Sequence, residues 1–240
     1  MKLTGQTVLI TGAARRIGRA LALHLARAGA DILIHHGHST KDAEQTAAEI
    51  RALGRKAWVL QADLEDLEQA ARLVNQAWEV QPFQHLINNA AIFGSLDWAE
   101  VTPAEWQQTL NINLSAPFFL SQQFAKNLAG QPGRILNLLD WRALRPGADH
   151  LPYTISKAAL AALTHSLALA LAPHILVNGL ALGAVLPPSD GGNANKILED
   201  VPAKRWADLS EVGEAALFFL AGSNYITGEI LHLDGGRHLV

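Results

Sequence analysis

The chain predicts a doubly wound α/β fold, a parallel sheet with helices on both faces. Apolar runs too short for helices alternate with longer segments of helical period almost to the end. A Thr11-Gly12…Gly18 turn joins the first apolar run to the first helical segment. At 240 residues and 49% hydrophobic content, the chain can bury one good core, so one domain over 1–240 is expected.

The elements follow in order. Val8–Ile10 reads as a short buried strand, and a turn then leads into a helix over Ile17–Ala28, stopped by Gly29. Ile32–Ile34 is the second strand. Ser39 or Thr40 caps a helix running to Leu53 and closed by Gly54. Ala57–Leu60, Leu86–Ile87, Ile135–Leu139, Ile175–Val177 and Ile230–Leu233 are the remaining buried strands. Helical spacing covers Leu67–Trp78, Pro103–Leu128, Thr154–Leu171 and Ser210–Leu220. Thr102, Pro103 and Glu105 form a strong helix start: N-cap, first-position proline and a carboxylate three after the cap. Pro117 lacks the N–H that would bond the Asn113 carbonyl, so a kink is expected there. Ala184–Lys196 is rich in Pro, Gly, Asn and Asp and reads as a mobile loop, within a variable substrate loop of about 184–205.

Charge and composition narrow the partners. With 19 basic against 22 acidic residues, a net charge of −3 and no basic block, neither nucleic acid nor an anionic membrane is expected. The absence of cysteine excludes disulfides and thiol chemistry. Met1–Gly5 carries no long apolar run and no cleavage signal. The apolar stretch Ala158–Ala172, interrupted by Thr164, His165 and Ser166, reads as too short for a bilayer. A cytoplasmic protein is expected.

The first turn is built for a dinucleotide. Gly12 permits the tight turn, Gly18 lets the helix approach the sheet, and the helix N-terminus offers N–H groups to a pyrophosphate. The end of the second strand reads His35-His36-Gly37-His38-Ser39, with no acid for ribose hydroxyls, while Arg15 and Arg16 lie nearby in sequence. These groups suit a 2′-phosphate, which favours NADP(H). The three histidines lack carboxylate or cysteine partners at ligand-like spacing, so no metal is expected. Asp63 either accepts from the adenine amino group or caps a helix.

The reacting groups cluster by topology. Asn88-Asn89-Ala90-Ala91 follows a buried strand, Asn113 lies in a helix, and Asp140 ends another strand. Tyr153 and Lys157, four residues apart, share one helix face. Lysine favours the phenolate, whereas a carboxylate holds the phenol protonated. An ionised Asp140 cannot donate to a substrate oxygen, which suits protonating a ring nitrogen better than gripping a ketone.

Over nearly its whole length the chain resembles the short-chain dehydrogenase/reductase family. The motifs are Thr11-Gly12, Asn88-Asn89-Ala90, Asn113, Tyr153-x-x-x-Lys157, Val177-Asn178 and Asp234-Gly235-Gly236. Arg16 stands where most of the family has glycine and Asp140 where most has serine. Both are similar to the pteridine reductase branch, including dihydromonapterin-type reductases. The resemblance implies a Rossmann-type sheet and NADP(H). It places Gly12, Arg15, Arg16, Ile17, Gly18, His36, His38, Ser39, Asp63, Leu64, Asn89, Ala90, Tyr153, Lys157 and Gly183 at the cofactor. Arg16, Phe93, Asp140 and Tyr153 would meet a pterin or folate, with Phe93 stacking on it. Asp140, Tyr153, Lys157 and Asn113 would be catalytic. Ala91 in place of a hydroxyl residue and Leu182-Gly183 in place of Pro-Gly depart from that pattern.

The expected activity is NADPH-dependent reduction of a dihydropteridine: dihydromonapterin, dihydrobiopterin or dihydrofolate. The alternatives are a carbonyl reductase of 3-oxoacyl type and a non-catalytic NADP-binding sensor. Small residues on the Tyr153 helix (Ala158, Ala159, Ala161 and Ala162), with the family habit, imply a homo-oligomer, tetramer or dimer. The tail Arg237–Val240 is expected to reach a neighbouring subunit's active site.

Overall fold

The computed structural model describes residues 2–94, 97–187 and 194–240. Its strands are β1 (Thr7–Ile10), β2 (Asp31–His36), β3 (Ala57–Gln61), β4 (His85–Asn88), β5 (Gly133–Asp140), β6 (Ile175–Leu182) and β7 (Ile230–Leu233). All are parallel, in the order β3-β2-β1-β4-β5-β6-β7. The order reverses between β1 and β4, which opens a crevice at their carboxyl ends.

Alternation along each strand feeds two cores. Val8, Ile10, Ile32 and Ile34 face α1 (Arg16–Arg27), α2 (Thr40–Ala52) and α8 (Leu209–Ala221), meeting Leu21, Leu25, Ile50, Val212 and Phe219. Leu9, Leu33 and Leu86 face the other way, onto Leu73 and Val74 of α3 (Leu67–Val80) and Leu120 and Phe124 of α5 (Ala116–Leu128). The central strands β1, β2, β4, β5 and β6 are buried on both faces, which is why their sequences are mostly apolar, while the edge strands β3 and β7 are partly exposed.

Three expectations need correction. The helix anticipated over Pro103–Leu128 is interrupted. The capping box of Thr102 and Glu105 starts α4 (Pro103–Leu110), but Asn111–Ser115 forms a π-helical turn before α5. The Ala116 N–H reaches back to the Asn111 carbonyl, the wider spacing of a π turn, just where Pro117 withholds its donor. The 184–205 segment is not all loop: Ala194–Glu199 forms a short helix, α7, while 188–193 lie outside the described residues.

The apolar stretch from Ala158 lies in a longer helix, α6 (Leu151–Leu171), whose 21 residues are enough to cross a bilayer by length. Its polar side chains decide its place. Thr154, Ser156, Lys157 and Thr164 are buried, so α6 is a core helix of the fold.

Candidate active site

The nucleotide end of the crevice is a braced turn. Gly12 has φ +65°, and a Cβ there would lie 3.1 Å from Ala90 Cα. A Cβ on Gly18 would collide with the Gly12 carbonyl oxygen and come within 2.6 Å of Asn89 Nδ2. Thr11 Oγ1 accepts the N–H groups of Asn89 (2.9 Å) and Ala90 (3.0 Å), and Asn89 Nδ2 donates to the Thr11 carbonyl at 2.8 Å. Asn89 and Ala90 therefore fasten the turn from the β4 side.

His35 fastens it from the β2 side. Its Nδ1 accepts the Gly12 N–H at 3.1 Å, so Nε2 carries the proton and donates to the Ala62 carbonyl at 3.1 Å. Burial pushes the His35 imidazole down to about 4, which keeps it neutral.

Arg16 adopts φ +51°, a left-handed conformation that explains why glycine is usual there. Its guanidinium donates to the Pro187 carbonyl at 3.3 Å, bridging the first turn to the segment after β6. Ile17 packs on the core, and Leu64 is buried beside Leu9 and Leu33. A Cβ on Gly183 would come 2.5 Å from Asp234 Cα, so this glycine brings β6 close to the end of β7.

The end of β2 has the groups a 2′-phosphate needs. His36 is buried with its Nδ1 unpaired, and burial lowers its pKa. His38 is exposed, and Ser39 opens α2 without spending its side chain on the cap. Arg15 is exposed, 3.5 Å from Asp42. Asp63 is not a helix cap: Asp66 caps α3, while Asp63 Oδ1 accepts the Glu65 N–H at 3.0 Å. A tight glycine cradle, an orphaned imidazole nitrogen and adjacent cations fit a phosphorylated dinucleotide.

At the reacting end, β5 and α6 place Asp140, Tyr153 and Lys157 together. The Tyr153 hydroxyl donates to Asp140 Oδ2 at 3.3 Å, and Asp140 Oδ1 accepts the Arg142 N–H at 2.9 Å. Lys157 Nζ donates to the Leu138 carbonyl at 2.7 Å and lies 5.7 Å from the Tyr153 ring centroid. Burial and then the Asp140 charge push the phenol well above its ordinary 10, so the carboxylate prevails and Tyr153 stays protonated. Burial also raises Asp140, against the pull of Arg142 and Lys157. Burial lowers Lys157 to about 8, with Asp140 opposing that fall.

Asn113 acts through its side chain. Its Oδ1 accepts the Ile92 N–H at 2.9 Å, and its Nδ2 donates to the Ile92 carbonyl (3.0 Å) and Ser156 Oγ (3.1 Å). The π turn thus holds the segment leading to Phe93. Asn88 stays inside the sheet, donating to Asn137 Oδ1 at 2.8 Å.

Phe93, 54% exposed, meets the Tyr153 ring edge-on at 4.6 Å and the His150 ring at 4.2 Å. A cavity of about 290 Å³ adjoins them, lined by Ile92, Phe93, Val101, Gln108, Pro152 and Tyr153 among others. Sequence reasoning grouped His35 with the phosphate-binding residues, whereas the structure spends it on bracing the Gly12 turn, and it missed Ser156 and His150. It also missed Arg142, whose guanidinium binds Asp149 at 2.8 Å and lies 3.8 Å from Asp140 Oδ1. The signal that could have found Arg142 is its place two residues after the strand-end carboxylate.

The short chain dehydrogenase family model matches residues 6–196. The chain belongs to the short-chain dehydrogenase family. FolM alternative dihydrofolate reductase 1 from Brucella canis, solved with NADP, matches with a TM-score of 0.92 at 36% identity, covering 100% of this chain and 97% of that one. The 2-dehydro-3-deoxy-D-gluconate 5-dehydrogenase of Dickeya dadantii is 32% identical over 98% of this chain and 96% of its own length. The 3-oxoacyl-[acyl-carrier-protein] reductase FabG of Aquifex aeolicus is 32% identical over 98% of each chain. Solved structures with bound NADP or NADPH thus match this fold closely, in line with NADP(H) as the cofactor.

Proposed function

We propose that this NADP-dependent oxidoreductase reduces a dihydropteridine to its tetrahydro form. The observation that carries the reading is the Tyr153–Asp140 hydrogen bond. It points the phenol's proton at a carboxylate where a ketone reductase would offer a second hydroxyl donor.

The Gly12–Gly18 turn and the first N–H groups of α1 would hold the pyrophosphate. Arg15, His36, His38 and Ser39 would hold the 2′-phosphate, with Asp63 and Leu64 beside the adenine and Asn89, Ala90 and Gly183 nearer the nicotinamide. When bound, NADPH supplies the hydride, which goes to the carbon of a C=N bond. Phe93 and Arg16 would orient the pterin ring over that position.

The adjacent nitrogen becomes strongly basic as hydride arrives and takes one proton from the Asp140–Tyr153 pair. Lys157, whose ammonium lies 5.7 Å from the Tyr153 ring centroid, would pass a proton from solvent to restore it. The net change is C=N to CH–NH, with one hydride and one proton consumed. A protonated Tyr153 suits this step, because the group to be neutralised is a nitrogen anion and the donor must hold its proton until then.

A second reading, NADPH-dependent reduction of a ketone, has support in the names of two relatives that share about a third of their residues with this chain. There Tyr153 would give its proton to the carbonyl oxygen. Loss of NADPH absorbance, with dihydrobiopterin, dihydromonapterin, dihydrofolate and an acetoacetyl thioester offered in parallel, separates the two. Pterin-dependent oxidation is expected; oxidation with the thioester alone overturns the pterin reading.

A further inference from the structure

Arg237 lies in a one-turn helix, Arg237–Leu239, and its side chain reaches the residue that follows Asp140. Its guanidinium sits 4.4 Å from the centroid of the Trp141 indole, which follows Asp140 directly, and Arg142 lies over the same ring at 4.8 Å. Both arginine side chains are only 14% exposed, but their charges are met differently. Arg142 makes a 2.8 Å ion pair with Asp149. Among the described residues, the charged partner of Arg237 is Asp200, 3.9 Å away and itself 72% exposed.

This mostly buried guanidinium, with its ion-pair partner among the described residues 3.9 Å away, is held by the indole stack rather than by a close ion pair. The turn does not need that side chain. Asp234 already holds it through the N–H groups of Gly236 (2.9 Å) and His238 (2.8 Å), and Arg145 donates to the Arg237 carbonyl at 3.3 Å. Stacking fixes the plane of the fork and leaves its N–H edges to meet an anion.

We propose that Arg237, seated on Trp141, receives a carboxylate borne by the substrate, so that this site is selective for acids over uncharged molecules of the same reactive group. The inference rests on the reading that Asp140 and Tyr153 mark the reacting end. It commits to no particular ring or ketone, and it favours dihydrofolate, with its glutamyl carboxylates, among the pterins above.

The test compares two matched pairs on the NADPH-loaded enzyme. One is dihydrofolate against dihydrobiopterin; the other is a keto-acid sugar against an uncharged keto sugar. In Arg237→Met the ratio of kcat/KM for the acid over that for its uncharged partner should fall about 10- to 100-fold, the effect of losing a charge-assisted pair. Arg237→Lys should recover part of that ratio, and an unchanged Kd for NADPH checks that both variants are folded. A fall confined to the keto-acid pair, with no pterin turned over, would uphold the carboxylate subsite while removing the pterin reading. An unchanged ratio in both pairs overturns the proposal.

Discussion

The hydroxyl of Tyr153 donates to Asp140 Oδ2 across 3.3 Å, and both groups hold a proton more tightly than they would in water. The carboxylate is raised by burial; the phenol by burial and by the carboxylate. A proton held between two such groups is released only to a strong base.

Asp140→Ser removes the carboxylate and supplies a hydroxyl that can donate to an oxygen. Pterin turnover should fall by about 100-fold, the scale of a lost general acid, while ketone turnover rises. Steady-state kcat/KM for a pterin and an acetoacetyl thioester checks both signs, and equal loss on both would refute the assigned role.

The rate should fall with rising pH near 8, where Lys157 loses its proton. In Asp140→Asn the charge that opposes this loss is gone, so that limb should move to lower pH. A pH profile of kcat/KM for the two proteins is the measurement. Stability runs the other way. Between about 8 and the ordinary 10.5 the unfolded chain binds the Lys157 proton and the folded one does not, so the lysine's cost is relieved as pH rises through that window. Melting curves of wild type and Lys157→Met should therefore converge there.

Asn113→Ala deletes both bonds to Ile92 and the one to Ser156. A stability loss of about 2 kcal/mol is expected. Because the segment bearing Phe93 is released, kcat should drop at least about tenfold. Denaturant titration and single-turnover kinetics test the two separately.

Arg16→Gly should relieve the left-handed strain, offset in part by the greater freedom of glycine in the unfolded chain. The net gain is expected to be below about 1 kcal/mol. It also removes the bridge to Pro187, so KM should rise even as Tm does. A variant less stable than wild type would show that Arg16 contributes more through its contacts than its backbone costs.

Much of this was readable because parallel strands buried on both faces leave continuous apolar runs, and because Asp140, Tyr153 and Lys157 lie within one strand–helix unit. Pro117 marked a lost backbone bond, but not how Asn111–Ser115 widen to accommodate it, since that depends on Asn113 being drawn toward Ile92. The contacts of Arg142, His150 and Arg237 were out of reach for a different reason. His150 meets Phe93, and Arg237 meets Trp141, between segments that follow separate strands, while Arg142 meets Asp149 within the irregular β5–α6 connection; no periodicity constrains any of them.

The imidazole of His35 ties the Gly12 N–H to the Ala62 carbonyl only while one ring nitrogen keeps a lone pair. The unfolded chain takes up that proton near 6.5, the folded one only near 4, so acid drains stability across the interval between them. Below it the imidazolium has nothing left to accept with, and the loop under the dinucleotide comes unfastened from its neighbour strand. His35, which touches neither hydride nor substrate, therefore makes this turn one acid-sensitive point of the protein, beside His85, which burial pushes down to about 3.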